Sequence, residues 1–122
     1  MKNWGKILLN VFRYVTAGGK DVIDSYIKKL SQKIQYEYNT IIELLEAEGM
    51  DAFDLLDTKP FKAQIREIRF DQQRLFYVLQ DGDNLYILHA CKKEKNKTEK
   101  RDKKLAIDRA KELGRELNKK FV

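Results

Sequence analysis

Five residues in the second half of the chain, Glu67, Arg69, Arg74, His89 and Lys93, are of the types that move protons and hold anions. The first four fall on three strand-like runs, residues 63–70, 73–80 and 84–91, and Lys93 follows the last. Side chains two apart on a strand share a face. Two-residue turns at Asp71-Gln72 and Asp81-Gly82 would set Arg69 opposite Arg74, Glu67 opposite Phe76 and Arg74 opposite His89. Glu67, Arg69, Arg74 and His89 then share a face, with Lys92 and Lys93 at its end. Two adjacent arginines repel unless an anion lies between them. Either Glu67 supplies that charge, or the cluster awaits an external anion. The set fits phosphodiester cleavage in RNA: a base takes the ribose 2′-hydroxyl proton, cations stabilise the phosphorane, and an acid protonates the leaving oxygen. Glu67 is the candidate base and His89 the candidate acid, with Arg69, Arg74 and Lys93 as charge donors. Cations around His89 would lower its pKa. These residue types permit the chemistry without requiring it.

The remaining elements must hold this face in place. Residues 7–15 are apolar and partly β-branched before "TAGGK" interrupts them, so they read as a first strand. Asp21 suits the N-cap of a helix with Val22, Ile23, Tyr26, Ile27 and Leu30 on one side. A second helix carries Tyr38, Ile41, Ile42 and Leu45, with Gly49 as its C-terminal cap. The next stretch reads as a connection in which Pro60 ends regular structure. A charged linker leads to a last helix over 103–118, with Ala106, Ala110, Leu113 and Leu117 on one stripe. Alternation predicts a core face of Ile68, Phe70, Leu75, Tyr77, Leu79, Tyr86, Leu88 and Ala90. The order β-α-α-β-β-β-α implies one α+β domain spanning residues 1–122. Its sheet would be four-stranded and mainly antiparallel, with the helices packed on one face.

Composition narrows the function classes. The chain has 122 residues, enough for a core without covalent staples. One Cys forms no internal disulfide, and one His with one Cys does not complete a zinc site. A reducing, cytoplasmic setting and no metal or cofactor are expected. No apolar run is long enough for a membrane span, and the N-terminal run lacks a signal-peptide pattern. The net charge of +6 is unevenly placed. Residues 1–90 hold 12 Lys/Arg against 13 Asp/Glu, whereas residues 91–122 hold 13 against 6. A concentrated basic segment is the footprint of a polyanion binder.

The segments "KPF" (59–61), "IREIR" (65–69), "RLFY" (74–77), "YILHACKK" (86–93) and "KT" (97–98), followed by an amphipathic helix, resemble RelE/HigB-type toxins of type II toxin–antitoxin systems. The resemblance is to the phage-related HigB branch of the RelE/ParE superfamily. It implies a ribosome-dependent endoribonuclease, an mRNA interferase that cuts mRNA in the ribosomal A site without a metal. It also implies a cognate antitoxin, HigA-like and helix-turn-helix in fold. Carried onto this sequence, it gives catalytic roles to Glu67, Arg69, Arg74, His89 and Lys93. Phosphate-binding roles fall to Lys59, Lys92, Lys97 and Arg101. Cys91 stands where the pattern has an aromatic, Glu94 where it has a second lysine, and Lys95 where it has a threonine. Two other readings are a non-catalytic RNA- or ribosome-binding module and a domain that binds only a protein partner.

Overall fold

A computed structural model describes residues 8–93 and 100–122. The elements run β1 (Asn10–Arg13), α1 (Val22–Lys28), α2 (Gln32–Glu48), a 3₁₀ helix (Gly49–Leu55), β2 (Asp57–Lys62), β3 (Ile65–Phe70), β4 (Gln73–Gln80), β5 (Asn84–Lys92) and α3 (Lys100–Leu117). The expected caps are present: the Asp21 side chain accepts from the Asp24 N–H, and Gly49 closes α2 at φ 61°. Ser31, unforeseen, caps the start of α2 through the Ile34 N–H. Among the described residues, no helix is long and apolar enough to cross a membrane.

The sheet has five strands in the order β1-β5-β4-β3-β2, not four. The additional strand is β2, which contains Pro60. Its missing N–H is tolerated because β2 is an edge strand, and the register shifts between Pro60 and Lys62. The sheet is also mixed, because β1 pairs with β5 in parallel. A parallel partner requires a crossover connection, and α1 and α2 lie in the chain between the two strands.

The helices do not share one face. The core on the α1/α2 side gathers Ile23, Ile27, Tyr38, Ile41 and Leu45 with Ile68, Leu75, Tyr77, Leu85 and Ile87. On the opposite face, Ala106, Ala110 and Phe121 pack with Ile65, Phe76, Val78, Leu88 and Cys91. Phe76 and Val78 are as fully buried as Leu75 and Tyr77, so β4 is covered on both sides. The expected core-face set is corrected accordingly. Ile87 lies in the α1/α2 core, and Leu88 lies under α3 with Tyr86 packed at its margin.

Candidate functional site

The β3–β4 hairpin has the expected register. Asp71 and Gln72 both take positive φ, 45° and 65°, as a two-residue turn with right-handed strand twist needs. Glu67 consequently pairs with Phe76, and Arg69 with Arg74. The β4–β5 register differs from expectation. Gln80 pairs with Asn84, leaving a three-residue loop, and the ladder shifts between Phe76 and Tyr77. Arg74 therefore faces Cys91 rather than His89, and His89 faces Phe76. The longer loop and the extra residue, Leu88, each move the register by one. Together they restore parity, and His89 stays on the face of Glu67 and Arg74.

Two rungs of side chains result. One runs Lys59–Glu67–Phe76–His89 and the other Asp57–Arg69–Arg74–Cys91. Lys59 thus stands inside the sheet, on β2, rather than before it. Glu67 Oε1 lies 3.2 Å from Arg69 Nε and 3.6 Å from Arg74 Nε, one carboxylate between two guanidinium groups. The Arg69 contact is an ion pair without hydrogen-bond alignment, since its Nε is buried without a hydrogen-bond partner. Arg74 is 5% exposed and donates to the Gln73 carbonyl at 2.9 Å. Burial, and next the charge of Arg69, lower the Arg74 pKa.

A cavity of about 480 Å³ opens beside these guanidinium groups, lined by Asp57, Arg69, Asp71, Gln72, Arg74 and Lys93. Lys93 is fixed there by its own backbone N–H, which donates to the Gln72 carbonyl at 2.8 Å. Lys92 and Lys59 are exposed. Arg101 is also exposed, on the first turn of α3, which starts at Lys100 rather than 103. Lys97, Glu94 and Lys95 lie outside the described residues. Among the described residues three cations line this cavity, but Glu67 and His89 do not.

His89 belongs to a different network. Its Nε2 is 2.7 Å from Asp102 Oδ1, and its Nδ1 is 3.0 Å from an Arg109 nitrogen. Arg109 also donates to the Leu88 carbonyl at 3.0 Å and lies 4.4 Å over the Tyr14 ring, whose hydroxyl donates to Glu112 at 2.8 Å. A guanidinium only donates, so Nδ1 must accept and the neutral ring carries its proton on Nε2, toward Asp102. Burial lowers the His89 pKa more than Asp102 raises it, and Arg109 and Arg101 lower it further. The expected direction holds, with burial as the main cause. Asp102 and Arg109 were missed from sequence. Their seven-residue spacing puts them on one helix face, but nothing in the sequence says which strand that face meets.

His89, Cys91 and Asp102 bring three potential metal-ligand atoms within 4.8 Å of one another. In the metal-free protein two of the three groups are protonated. The Nε2 lone pair is replaced by a proton, and burial first, with the Asp102 and Glu67 charges next, pushes the Cys91 thiol up to about 12.

Fold and site together define a small α+β protein with a cavity lined by Arg69, Arg74 and Lys93 at one end of a mixed sheet. The sequence matches the family described as "Phage derived protein Gp49-like (DUF891)" over residues 25–111, and the chain belongs to that family. The family is associated with RelE/HigB-like toxins of toxin–antitoxin systems. The matched stretch includes every candidate site residue named above and leaves β1 outside. No curated protein matches the chain.

Proposed function

We propose that the chain is the toxin of a type II toxin–antitoxin pair and acts in the cytoplasm as a ribosome-dependent endoribonuclease on mRNA. The carrying observation is the convergence of Arg69, Arg74 and Lys93 on one cavity. Three cations, Arg69 on β3, Arg74 on β4 and Lys93 just past β5, fit the non-bridging oxygens of a phosphodiester, which guanidinium groups bind bidentately. Glu67, ion-paired to both arginines, occupies the charge position that an incoming phosphate would take. Displaced from that pairing, its carboxylate becomes the base for the 2′-hydroxyl. Attack on phosphorus forms the 2′,3′-cyclic phosphate and expels the 5′-oxygen, which takes a proton from the acid.

For the acid, the geometry favours Lys93, which lines the cavity, over His89, whose Nε2 proton is directed at Asp102. His89 then acts as a positioning residue, tying α3 to β5, which ends at Lys92 just before Lys93. Lys59, Lys92 and Arg101 add phosphate contacts, with Lys97 joining them on the resemblance alone, and such contacts position RNA without reading its sequence. An antitoxin that covers the cavity would silence the protein.

A second reading is RNA or ribosome binding without cleavage. It is favoured by the ties on Glu67 and His89, which leave neither group free in the unbound protein. Inducible expression in a bacterium separates the two. Wild type should arrest growth and create new mRNA 5′ ends during translation, and Arg74→Ala should do neither. Growth arrest with intact mRNA supports the binding reading. No arrest and no new ends from wild type refute the toxin reading.

A further inference from the structure

The two most exposed large hydrophobic side chains among the described residues are Leu55, at 75%, and Tyr36, at 74%. Single exposed apolar residues need no explanation, but these two border the same depression. It measures about 400 Å³, and Asp57, Arg69 and Phe70 line both it and the cationic cavity. The two hollows therefore share a wall at the end of the sheet.

The helix that carries Tyr36 is anchored at this place. Lys33, one turn earlier on α2, lies 3.6 Å from Asp71, a lining residue of the cationic cavity. Tyr38, two positions on, points into the core, so Tyr36 faces outward from the same turn. Leu55 ends the 3₁₀ helix that delivers the chain to Asp57 and β2. Glu37, 3.8 Å from Lys33, and Thr40 supply polar atoms at the rim. An aromatic ring and an aliphatic side chain thus stand beside a cluster of cations. Single-strand binders use this pairing: the cations follow the backbone while bases stack on side chains.

We propose that Tyr36 and Leu55 form a subsite for an unstacked nucleobase of single-stranded RNA, adjacent to the phosphate held by Arg69, Arg74 and Lys93. The inference rests on the RNA reading above and adds a base contact on an element, α2, that contributes no cation to the cavity. Pyrimidines and purines both fit such a shelf, because every base offers a π-face.

Binding of the full chain to two uncleavable probes at low salt tests it. One is a 2′-O-methyl oligouridylate, and the other is a 2′-O-methyl strand of equal length with every base removed. Wild type should bind the oligouridylate about tenfold more tightly. Tyr36→Ala should abolish that preference and leave the abasic affinity unchanged, while Tyr36→Phe should keep it. Equal binding of both probes by wild type overturns the subsite but leaves the phosphate cavity standing. Binding of neither probe by folded wild type overturns any RNA contact made by the chain alone, and the subsite with it, whereas the growth and mRNA-end assay above decides the ribosome-dependent reading. Tyr36→Ala that weakens capture of the antitoxin but not of oligouridylate assigns the shelf to a protein side chain and overturns the base assignment.

Discussion

Arg109 donates to His89 Nδ1 at 3.0 Å, so the histidine's one mobile proton is committed to Nε2 and to Asp102, 2.7 Å away. Protonating Nδ1 would set an N–H against a guanidinium N–H. The ring is thus held neutral by geometry as well as by burial, and it fastens α3 to β5 from both of its edges.

Stability should accordingly depend on pH through this ring. The folded His89 pKa lies below its ordinary 6.5, with burial as the leading cause. At pH values between the two, the unfolded chain binds the extra proton, so stability falls as pH drops below about 6.5. The slope from one group is at most ~1.4 kcal/mol per pH unit. His89→Gln keeps a donor for Asp102 and lacks the titration. Urea midpoints from pH 7.5 to 5 should show a steeper loss for wild type than for His89→Gln. Parallel curves would remove His89 from the account.

Glu67 keeps Arg69 and Arg74 together at 3.2 and 3.6 Å. Glu67→Gln leaves two poorly hydrated cations face to face, which should destabilise the fold by about 2 kcal/mol. Sulfate can replace the missing charge. Millimolar sulfate should restore about half of the loss in Glu67→Gln and stabilise wild type less, since binding to the folded state alone adds stability. Thermal melts with and without sulfate measure both effects. Equal sulfate gains in the two proteins would show that the anion binds elsewhere.

The Glu67/Arg69/Arg74 geometry was legible because a two-residue turn leaves no freedom in register. The β4–β5 pairing was not, although its turn signal looked equally strong. Tyr86, Ile87 and Leu88 are all apolar, and both sheet faces are buried, so alternation carries no label for the inner side. A slip of two residues then goes unnoticed, since it preserves parity. β2 was hidden by Pro60, which rules out a central strand but not an edge. The expectation of one covered face failed for a related reason. The stripe of α3 was visible, yet the stripe itself carries no label for the side of the sheet it covers. That gap kept Asp102 and Arg109 out of the sequence-derived site.

Gly114 offers a stability test in which two effects oppose each other. Alanine is the better helix former by about 1 kcal/mol. A Cβ at Gly114, however, would meet the Lys119 carbonyl oxygen at 2.6 Å, and that oxygen belongs to backbone. The Lys119 N–H also donates to the Gly114 carbonyl at 2.9 Å, closing the C-terminal turn that seats Phe121 in the core. Steric displacement of this turn should win, so Gly114→Ala should lower stability by about 1–2 kcal/mol net. A chemical-denaturation series measures the sign, and a stabilised variant would mean that the C-terminal segment yields freely.

The polarity of the His89 network is open to direct titration, since the chain has a single histidine and hence one imidazole signal in NMR. Asp102 raises the His89 pKa and Arg109 lowers it, on a background set by burial. Asp102→Asn should move the titration further below 6.5. Arg109→Met frees Nδ1 and removes a facing charge, so it should move the titration part of the way back up, with burial holding it below the unperturbed value. Nitrogen chemical shifts should report the proton on Nε2 in wild type. The two substitutions must shift the midpoint in opposite directions. A common direction would mean that His89 does not stand between these two charges, and its link from β5 to α3 would need another basis.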